Sequence, residues 1–494
     1  MAVHAPLYRA GSRITGAAPY HGRDQVRLIG SQGNLIATWG RMGLPFSIPL
    51  PIHIHLLYYI RLFYRYQSSK EIVKRVELVM NFEYAFGVGL TFIQYLLLFF
   101  WAYWMLISLF GFGKPKRLKE HKPLKRFLLM IPAHNEEAVI GHLVENLHNM
   151  DYPKELYEVC VIADGCKDKT SEIAEKLGAT VIEHTYLPGE QKGKPYGIKY
   201  AIEQYGDMLI DDFDGIAFFD ADNLVSLNYL REMNNHLLNG DQLIQCYLDS
   251  KNPNDNWVTI GYSVSYIFMN RSWQLAKSRL GLGNAIGGTG FCVDTTLFKT
   301  IGWTARSLTE DLEFTMQCLL EGVPATWCHF ARVYDEKPES FKSSCIQRLR
   351  WARGHWDVCF KYAHKLIWRF ISKLDFKAFD GFMYLINPGK IVLSATTGLL
   401  VLMSMATDLL DAHHLIPWQV WMMCLLFQFI YVGYAQFLDS KNKVSLFRSY
   451  AYLYFFNLTY VPLFLWSLIT MKNVNWNPTK HTRAIHLSDI EVEE

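Results

Sequence analysis

Gly215-Ile216-Ala217-Phe218-Phe219-Asp220-Ala221-Asp222-Asn223 is a non-polar run that opens onto two carboxylates with one residue between them. Its apolar half predicts a short buried strand, Gly215–Phe219. A strand that ends this way invites a hard divalent cation. Mg2+ or Mn2+ takes one or two protein carboxylates and fills its other positions with phosphate oxygens and water. Two aspartates so spaced also occur by chance, and it is the strand end that favours ligation.

Upstream, strands alternate with helices. Phe127–Ile131, Val159–Ala163 and Thr180–Glu183 read as strands, and Glu136–Asn149, Thr170–Leu177 and Pro195–Tyr205 as helices. The alternation predicts a mostly parallel sheet with helices on both faces, whose ligands gather at the carboxyl ends of the strands. The first strand runs into Pro132-Ala133-His134-Asn135-Glu136-Glu137 and the second into Asp164-Gly165. Those polar groups suit a nucleobase and its ribose, and each is equally an ordinary strand-to-helix turn. Gln191-Lys192-Gly193-Lys194 offers two cations on one loop, as a phosphate contact or a solvated turn.

Downstream, Ala285-Ile286-Gly287-Gly288-Thr289-Gly290-Phe291 permits positive φ and close backbone approach, which an acceptor sugar needs and a plain loop also shows. Thr309-Glu310-Asp311 precedes a predicted helix, Leu312–Glu321. Thr309 suits a cap there, and a carboxylate at a helix start suits a general base. In Gln347–Trp356, QRLRWARGHW, Arg348, Arg350 and Arg353 alternate with Trp351 and Trp356. Guanidinium forks beside indole faces match a pyrophosphate next to a sugar ring. A basic amphipathic helix lying on a bilayer has the same composition.

The chain has 494 residues, half of them hydrophobic, and a formal charge of +3. No lysine-rich face or tail dominates, which argues against a nucleic-acid binder. A mean hydropathy just above zero fits a polar domain joined to membrane segments. Nine scattered cysteines without close pairs predict reduced thiols in a cytoplasmic catalytic region and argue against structural zinc. Phe86–Phe110 has roughly the ~20 apolar residues that a bilayer requires. Behind it, Lys114, Lys116, Arg117, Lys119, Lys122, Lys125 and Arg126 hold the next domain inside.

Three more spans are predicted near Phe382–Thr407, Trp418–Leu438 and Tyr450–Thr470. That count puts both termini outside, against the basic Arg61, Arg65, Lys70, Lys74 and Arg75. The expected organisation starts with an extension over 1–85, aperiodic over its first 41 residues and interfacial at Leu44–Ile60. A transmembrane helix follows at 86–110, then a cytoplasmic domain at 111–377 with interfacial helices such as Val258–Arg279. Three transmembrane helices occupy 378–471, and 472–494 is a tail.

In order, Asp164-Gly165, Asp220-Ala221-Asp222, Thr309-Glu310-Asp311 and Gln347-Arg348-Leu349-Arg350-Trp351 make a D, DxD, TED and QxxRW set over roughly Phe127–Trp356. The chain thereby resembles the processive, membrane-embedded family-2 glycosyltransferases, the group of cellulose, chitin and hyaluronan synthases. The resemblance implies an α/β glycosyltransferase-A-type domain with a mostly parallel sheet, inserted between transmembrane helices. Ala133, Asn135, Glu137 and Asp164 would then hold the uridine of a UDP-sugar. Lys192, Asp220, Gln347 and Arg350 would contact its diphosphate, and Asp222 would ligate Mg2+ or Mn2+. Asp311 would be the base, with Glu310 and Asp220 beside it in the catalytic set. Gly288, Thr289, Gly290 and Trp351 would hold the acceptor.

The activity implied is inverting, processive polymerisation of a UDP-sugar into an extracellular or capsular β-linked polysaccharide, exported through the plasma membrane. Its partners would be the donor, the growing chain, membrane lipid and, as an option, a second copy of the protein. Gly287–Gly290 lacks the Cys-Ser-Gly-Pro of hyaluronan synthases and lies nearer the Gly-Thr of cellulose-type loops, which favours UDP-glucose over UDP-N-acetylglucosamine. No Phe-x-Val-Thr gating loop is present. The tail from Trp476 to Thr482-Arg483 resembles a hyaluronan-type gate, which has to lie inside and so conflicts with three trailing spans. The alternative is a non-processive transferase adding one sugar to a lipid carrier, with less need of Gln347, Arg350 and Trp351. A catalytically dead glycan-binding membrane protein is disfavoured by the intact Asp220, Asp222 and Asp311.

Overall fold

The computed structural model describes residues 26–31, 34–39, 46–47, 70–407, 415–440, 446–473 and 481–491, in two compact units, Met1–Ala85 and Phe86–Glu494. In the first unit β1 (Val26–Ser31), β2 (Asn34–Trp39) and β3 (Phe46–Ser47) form an antiparallel sheet. The aperiodic sequence does not announce these strands, which are short and pair only with each other. The interfacial segment expected at Leu44–Ile60 lies, apart from β3, outside the described residues.

The second unit is built on eight strands: β4 (Phe127–Ala133), β5 (Tyr157–Asp164), β6 (Thr180–His184), β7 (Gly215–Phe218), β8 (Leu224–Val225), β9 (Leu243–Ser250), β10 (Phe291–Asp294) and β11 (Thr326–Asp335). They lie in the order β6-β5-β4-β7-β10-β9-β11-β8. Side-chain alternation along β4 sorts two cores. Phe127, Leu129 and Ile131 pack with Leu143, Val144 and Leu147 of helix Ile140–His148, while Leu128 and Met130 pack with Ile198 and Ala201 of helix Lys194–Tyr205. Each buried Leu or Ile contributes about 1.5–3 kcal/mol, so a one-residue slip of β4 would forfeit both cores.

The sheet is mixed rather than mostly parallel. β6, β5, β4 and β7 are parallel, but β10 runs antiparallel to both β7 and β9, and β8 antiparallel to β11. The strand–helix alternation that dictates parallel pairing stops at β7. Beyond β9 the chain makes a helical excursion from Trp257 to Arg279, and the glycine turn then feeds β10 back against β7, with Gly290 N–H donating to the Phe218 carbonyl (2.8 Å).

Three helices among the described residues are long and apolar enough to cross a membrane: Tyr84–Gly111, Trp418–Asp439 and Leu446–Ile469. The segment expected to span near Phe382–Thr407 is a helix pair, Phe376–Leu385 and Asn387–Met403, bent by 51°, which by length and composition is a broken span or a re-entrant loop. Pro388 offers no N–H and disfavours helical backbone at Asn387, which accounts for the break.

The domain is tied to these helices by cations of the excursion. Arg271 pairs with Asp439 (2.7 Å) and donates to the carbonyls of Gly111 and Gly113. Arg279 donates to the carbonyls of Phe110 and Lys114. Lys277 pairs with Asp380 (2.8 Å), which also accepts from Tyr103. Carbonyls at a helix C-terminus lack intrahelical donors and sit at its negative end, so guanidinium groups are apt partners there.

Candidate active site

The carboxyl ends of β5, β4 and β7 present the polar residues. Asp164 is buried, and its two oxygens accept from His184 Nδ1 (2.7 Å) and Tyr186 Oη (2.6 Å). Helix Lys194–Tyr205 approaches it closely at Gly197, where a Cβ would stand 3.0 Å from the Asp164 carboxyl carbon. After β4, Ala133 is buried, and Asn135, with φ of 57°, accepts from Lys167 N–H. Glu137 turns away and accepts from Lys169 N–H (3.1 Å), and the carboxylate that faces the cleft is Glu136.

At the end of β7, Asp220 N–H is shared between Asn223 and Thr289, and Lys194 Nζ meets Asp220 Oδ1 at 2.6 Å and the Gly288 carbonyl at 2.5 Å. The cation of this loop is therefore Lys194, whereas Lys192 stays exposed over the Tyr186 ring. Burial opposes the charge of Lys194, but Asp220, Glu310 and Asp311 outweigh it and hold the ammonium above its usual range. Asp222 is buried, with one oxygen accepting from Glu336 N–H (2.9 Å) and the other from Asn223 Nδ2 (3.3 Å). Ionised carboxylates have about four lone-pair sites, so Asp222 retains capacity for a ligand. Glu136 and Asp335 lie within electrostatic reach of both Asp220 and Asp222, and the free carboxylate oxygen sites of Asp222 are of the hard kind that suits Mg2+ or Mn2+.

Asp311 opens helix Glu310–Leu320 beside the glycine turn, where a Cβ on Gly288 (φ 77°) would stand 3.2 Å from Asp311 Oδ2. Burial and then the Glu310 charge lift Asp311 to about 7, against Leu312 N–H, Lys194 and Arg350. Thr309 does not cap this helix, and its hydroxyl is buried without a partner among the described residues. It lies instead against Gly354 of helix Phe341–Lys373, where a Cβ would come within 2.5 Å of Thr309 Oγ1. That close approach brings Arg350 within electrostatic reach of Asp311. Gln347 accepts from Tyr262 (3.0 Å), and Trp351 meets the same ring edge to face. Arg348 faces the other way, donating to Thr459 (2.7 Å) between the rings of Phe456 and Tyr460.

One contributor comes from the far end of the chain. His481 Nδ1 lies 3.0 Å from Glu136, Arg483 N–H donates to Glu336, and the Arg483 guanidinium pairs with Asp255. Burial resists protonation of His481, but Asp222, Glu136 and Glu336 push it up to about 10, so an imidazolium stands beside the paired aspartates. Lys194 and Glu136 lie inside stretches that the sequence singles out, but sequence reasoning chooses their neighbours Lys192 and Glu137 in their place, and His481 lies in the gate-like tail without a role of its own. Glu336 and Gly354 are missed outright. Trp476 to Lys480 of the gate-like tail lie outside the described residues.

A mixed sheet with its acids at the strand ends and a helix-borne carboxylate facing them is a glycosyltransferase-A-like arrangement. Residues 123–354 match the profile of the family described as glycosyltransferase like family 2, and this region is a family-2 glycosyltransferase domain. The probable glycosyltransferase YdaM of Bacillus subtilis (strain 168) is 27% identical over 256 residues, half of this chain and 59% of that protein. The beta-monoglucosyldiacylglycerol synthase of Trichormus variabilis is 27% identical over 243 residues, 47% of this chain and 51% of that protein. The chain thus spans little more than half the length of these curated relatives. The mannosyltransferase PcManGT from Pyrobaculum calidifontis, solved with GDP-Man and Mn2+, aligns over 72% of this chain and 99% of its own at 14% identity and a TM-score of 0.47.

Proposed function

We propose that the protein transfers one sugar from a nucleotide-sugar donor to a lipid acceptor at the cytoplasmic face of the plasma membrane. The observation that carries this reading is where Asp311 sits. Tyr384, on the bent-pair helix Phe376–Leu385, lies within reach of the Asp311 charge. Tyr384 packs on Trp273 and, with Phe382 and Met383, joins Phe100, Trp104 and Ile107 of the first apolar helix. A base at that junction meets a hydroxyl carried on the bilayer surface. The Trichormus relative, named for a glucosyldiacylglycerol, supports the same class of acceptor.

In this reading Asp311 takes the acceptor proton, the oxygen displaces the diphosphate in line at the anomeric carbon, and the linkage inverts. Lys194, Arg350 and the His481 imidazolium are the cations best placed for the departing charge. Asp222 would hold the divalent cation, which neutralises diphosphate when bound.

The tail contacts also bear on topology. The His481 contact with Glu136 supports a reading in which the tail lies on the same side as the domain, with an even number of crossings between them. Trp418–Asp439 and Leu446–Ile469 would supply two, and this reading takes the bent pair as a re-entrant loop rather than a broken span.

Gln347, Arg350 and Trp351 favour a second reading, polymerisation of UDP-glucose or UDP-N-acetylglucosamine with export. Detergent-solubilised protein supplied with diacylglycerol, a panel of UDP- and GDP-sugars and Mg2+ or Mn2+ separates the two. A lipid monosaccharide supports the first reading and polymer the second, while absence of nucleotide release refutes both.

A further inference from the structure

His142, Glu145 and His486 each bring a ligand atom within 4.8 Å of the other two. The first two lie one turn apart on helix Ile140–His148, and His486 directly precedes the terminal helix Leu487–Glu491. The imidazoles meet edge to face with centroids 4.6 Å apart, and His486 Nδ1 stands 3.9 Å from Glu145 Oε2. Nδ1 of His142 is buried and has no hydrogen-bond partner among the described residues. A buried nitrogen left without a partner forfeits its hydrogen bond to water for nothing in return.

We propose that His142, Glu145 and His486 bind a transition-metal ion of the Zn2+ type, which clasps the C-terminal segment to the catalytic domain. Two neutral imidazoles and one carboxylate form a borderline donor set that suits Zn2+, unlike the all-oxygen set around Asp222. Tetrahedral Zn2+ with bonds of about 2.0–2.1 Å sets its ligands roughly 3.3 Å apart. Glu145 and His486 are exposed side chains with room to swing inwards by that difference. A water completes the fourth position. Leu487 already packs on Leu224 and Tyr334, and the clasp adds a polar fastening five residues beyond His481. The cysteine spacing, which argues against structural zinc, gives no hint of this site, because it contains no cysteine.

The test is Co2+ titration of tag-free, chelator-stripped protein in detergent, with excess Mg2+ present to occupy the aspartate site. The expected result is the visible absorption of four-coordinate Co2+, saturating at one equivalent and bleached by Zn2+. His486→Ala abolishes that absorption and Glu145→Gln, on a different element, weakens it, while Asp222→Asn leaves it intact. No absorption in the native protein, absorption that survives His486→Ala, or absorption lost only in Asp222→Asn would each overturn the proposal.

Discussion

Glu310→Gln asks whether the acceptor base is tuned by its neighbour. Burial, reinforced by the Glu310 charge, lifts Asp311 from the ordinary 3.8 to about 7. At 1.36 kcal/mol for each tenfold change in ionisation, that is on the order of 4 kcal/mol in favour of the neutral acid. Only the ionised form accepts a proton, so kcat/KM rises with pH through about 7. Roughly one Asp311 in eleven is ionised one pH unit below that point, and ten in eleven one unit above. Two carboxylates ~6 Å apart repel by about 2–3 kcal/mol at an effective dielectric constant of ~20. Removing the Glu310 charge should therefore lower the acid limb by about one to two pH units. Lys194, 3.7 Å from Glu310, is released to act on the remaining acids and pushes in the same direction. The ratio of kcat/KM at pH 6 to that at pH 8 should climb from about 0.1 to between about 0.5 and 0.9. Initial rates of nucleotide release at saturating metal, from about pH 5.5 to 9, measure it. Asp311→Asn serves as control, keeping donor binding and losing about 10²–10⁴ in turnover. A limb that stays in place or moves upwards in Glu310→Gln would refute the reasoning.

Lys194→Met strands Asp220, Glu310 and Asp311 without their shared cation, so the acid limb should move above 7, opposite to Glu310→Gln, with about 1–3 kcal/mol lost in thermal melts. Gly354→Ala places a Cβ 2.5 Å from Thr309 Oγ1, and about 1–3 kcal/mol of stability should go together with kcat, as Thr309-Glu310-Asp311 is forced away from Arg350. Chelation should abolish turnover, with Mg2+ or Mn2+ restoring it in the native protein and not in Asp222→Asn. Because its folded value is raised, His481 contributes a tail contact that is complete below its ordinary 6.5 and lost as pH rises through about 10. Proteolysis after Arg483 should thus be slow at neutral pH and fast above about 10, and fast at both in His481→Gln.

The ion balance of the cleft explains why these tests differ in sign. Acids from the ends of β4, β7 and β11 and from the start of helix Glu310–Leu320 act on one another through their charges, and Lys194 and His481 offset that repulsion. In the proposed function, a donor diphosphate with its cation would enter a site where both signs are already closely paired.

Much of this was legible along the chain. Gly215–Phe219 opening onto Asp220 and Asp222, the strands leading to Asp164, and the placement of Asp311 at a helix start are local patterns of hydrophobic period and polar interruption, which the backbone obeys wherever the chain folds. Which neighbour each side chain meets is decided at long range. Arg348 and Arg350 look equivalent in sequence, yet two residues on a helix point about 200° apart, so one enters the membrane helices and the other faces Asp311. Lys194 and Glu136 displace Lys192 and Glu137 for the same reason: the turn of the backbone chooses between adjacent side chains. The antiparallel β10, the Gly354–Thr309 contact and the arrival of His481 at Glu136 depend on chain segments tens to hundreds of residues apart, and packing in three dimensions alone brings those together.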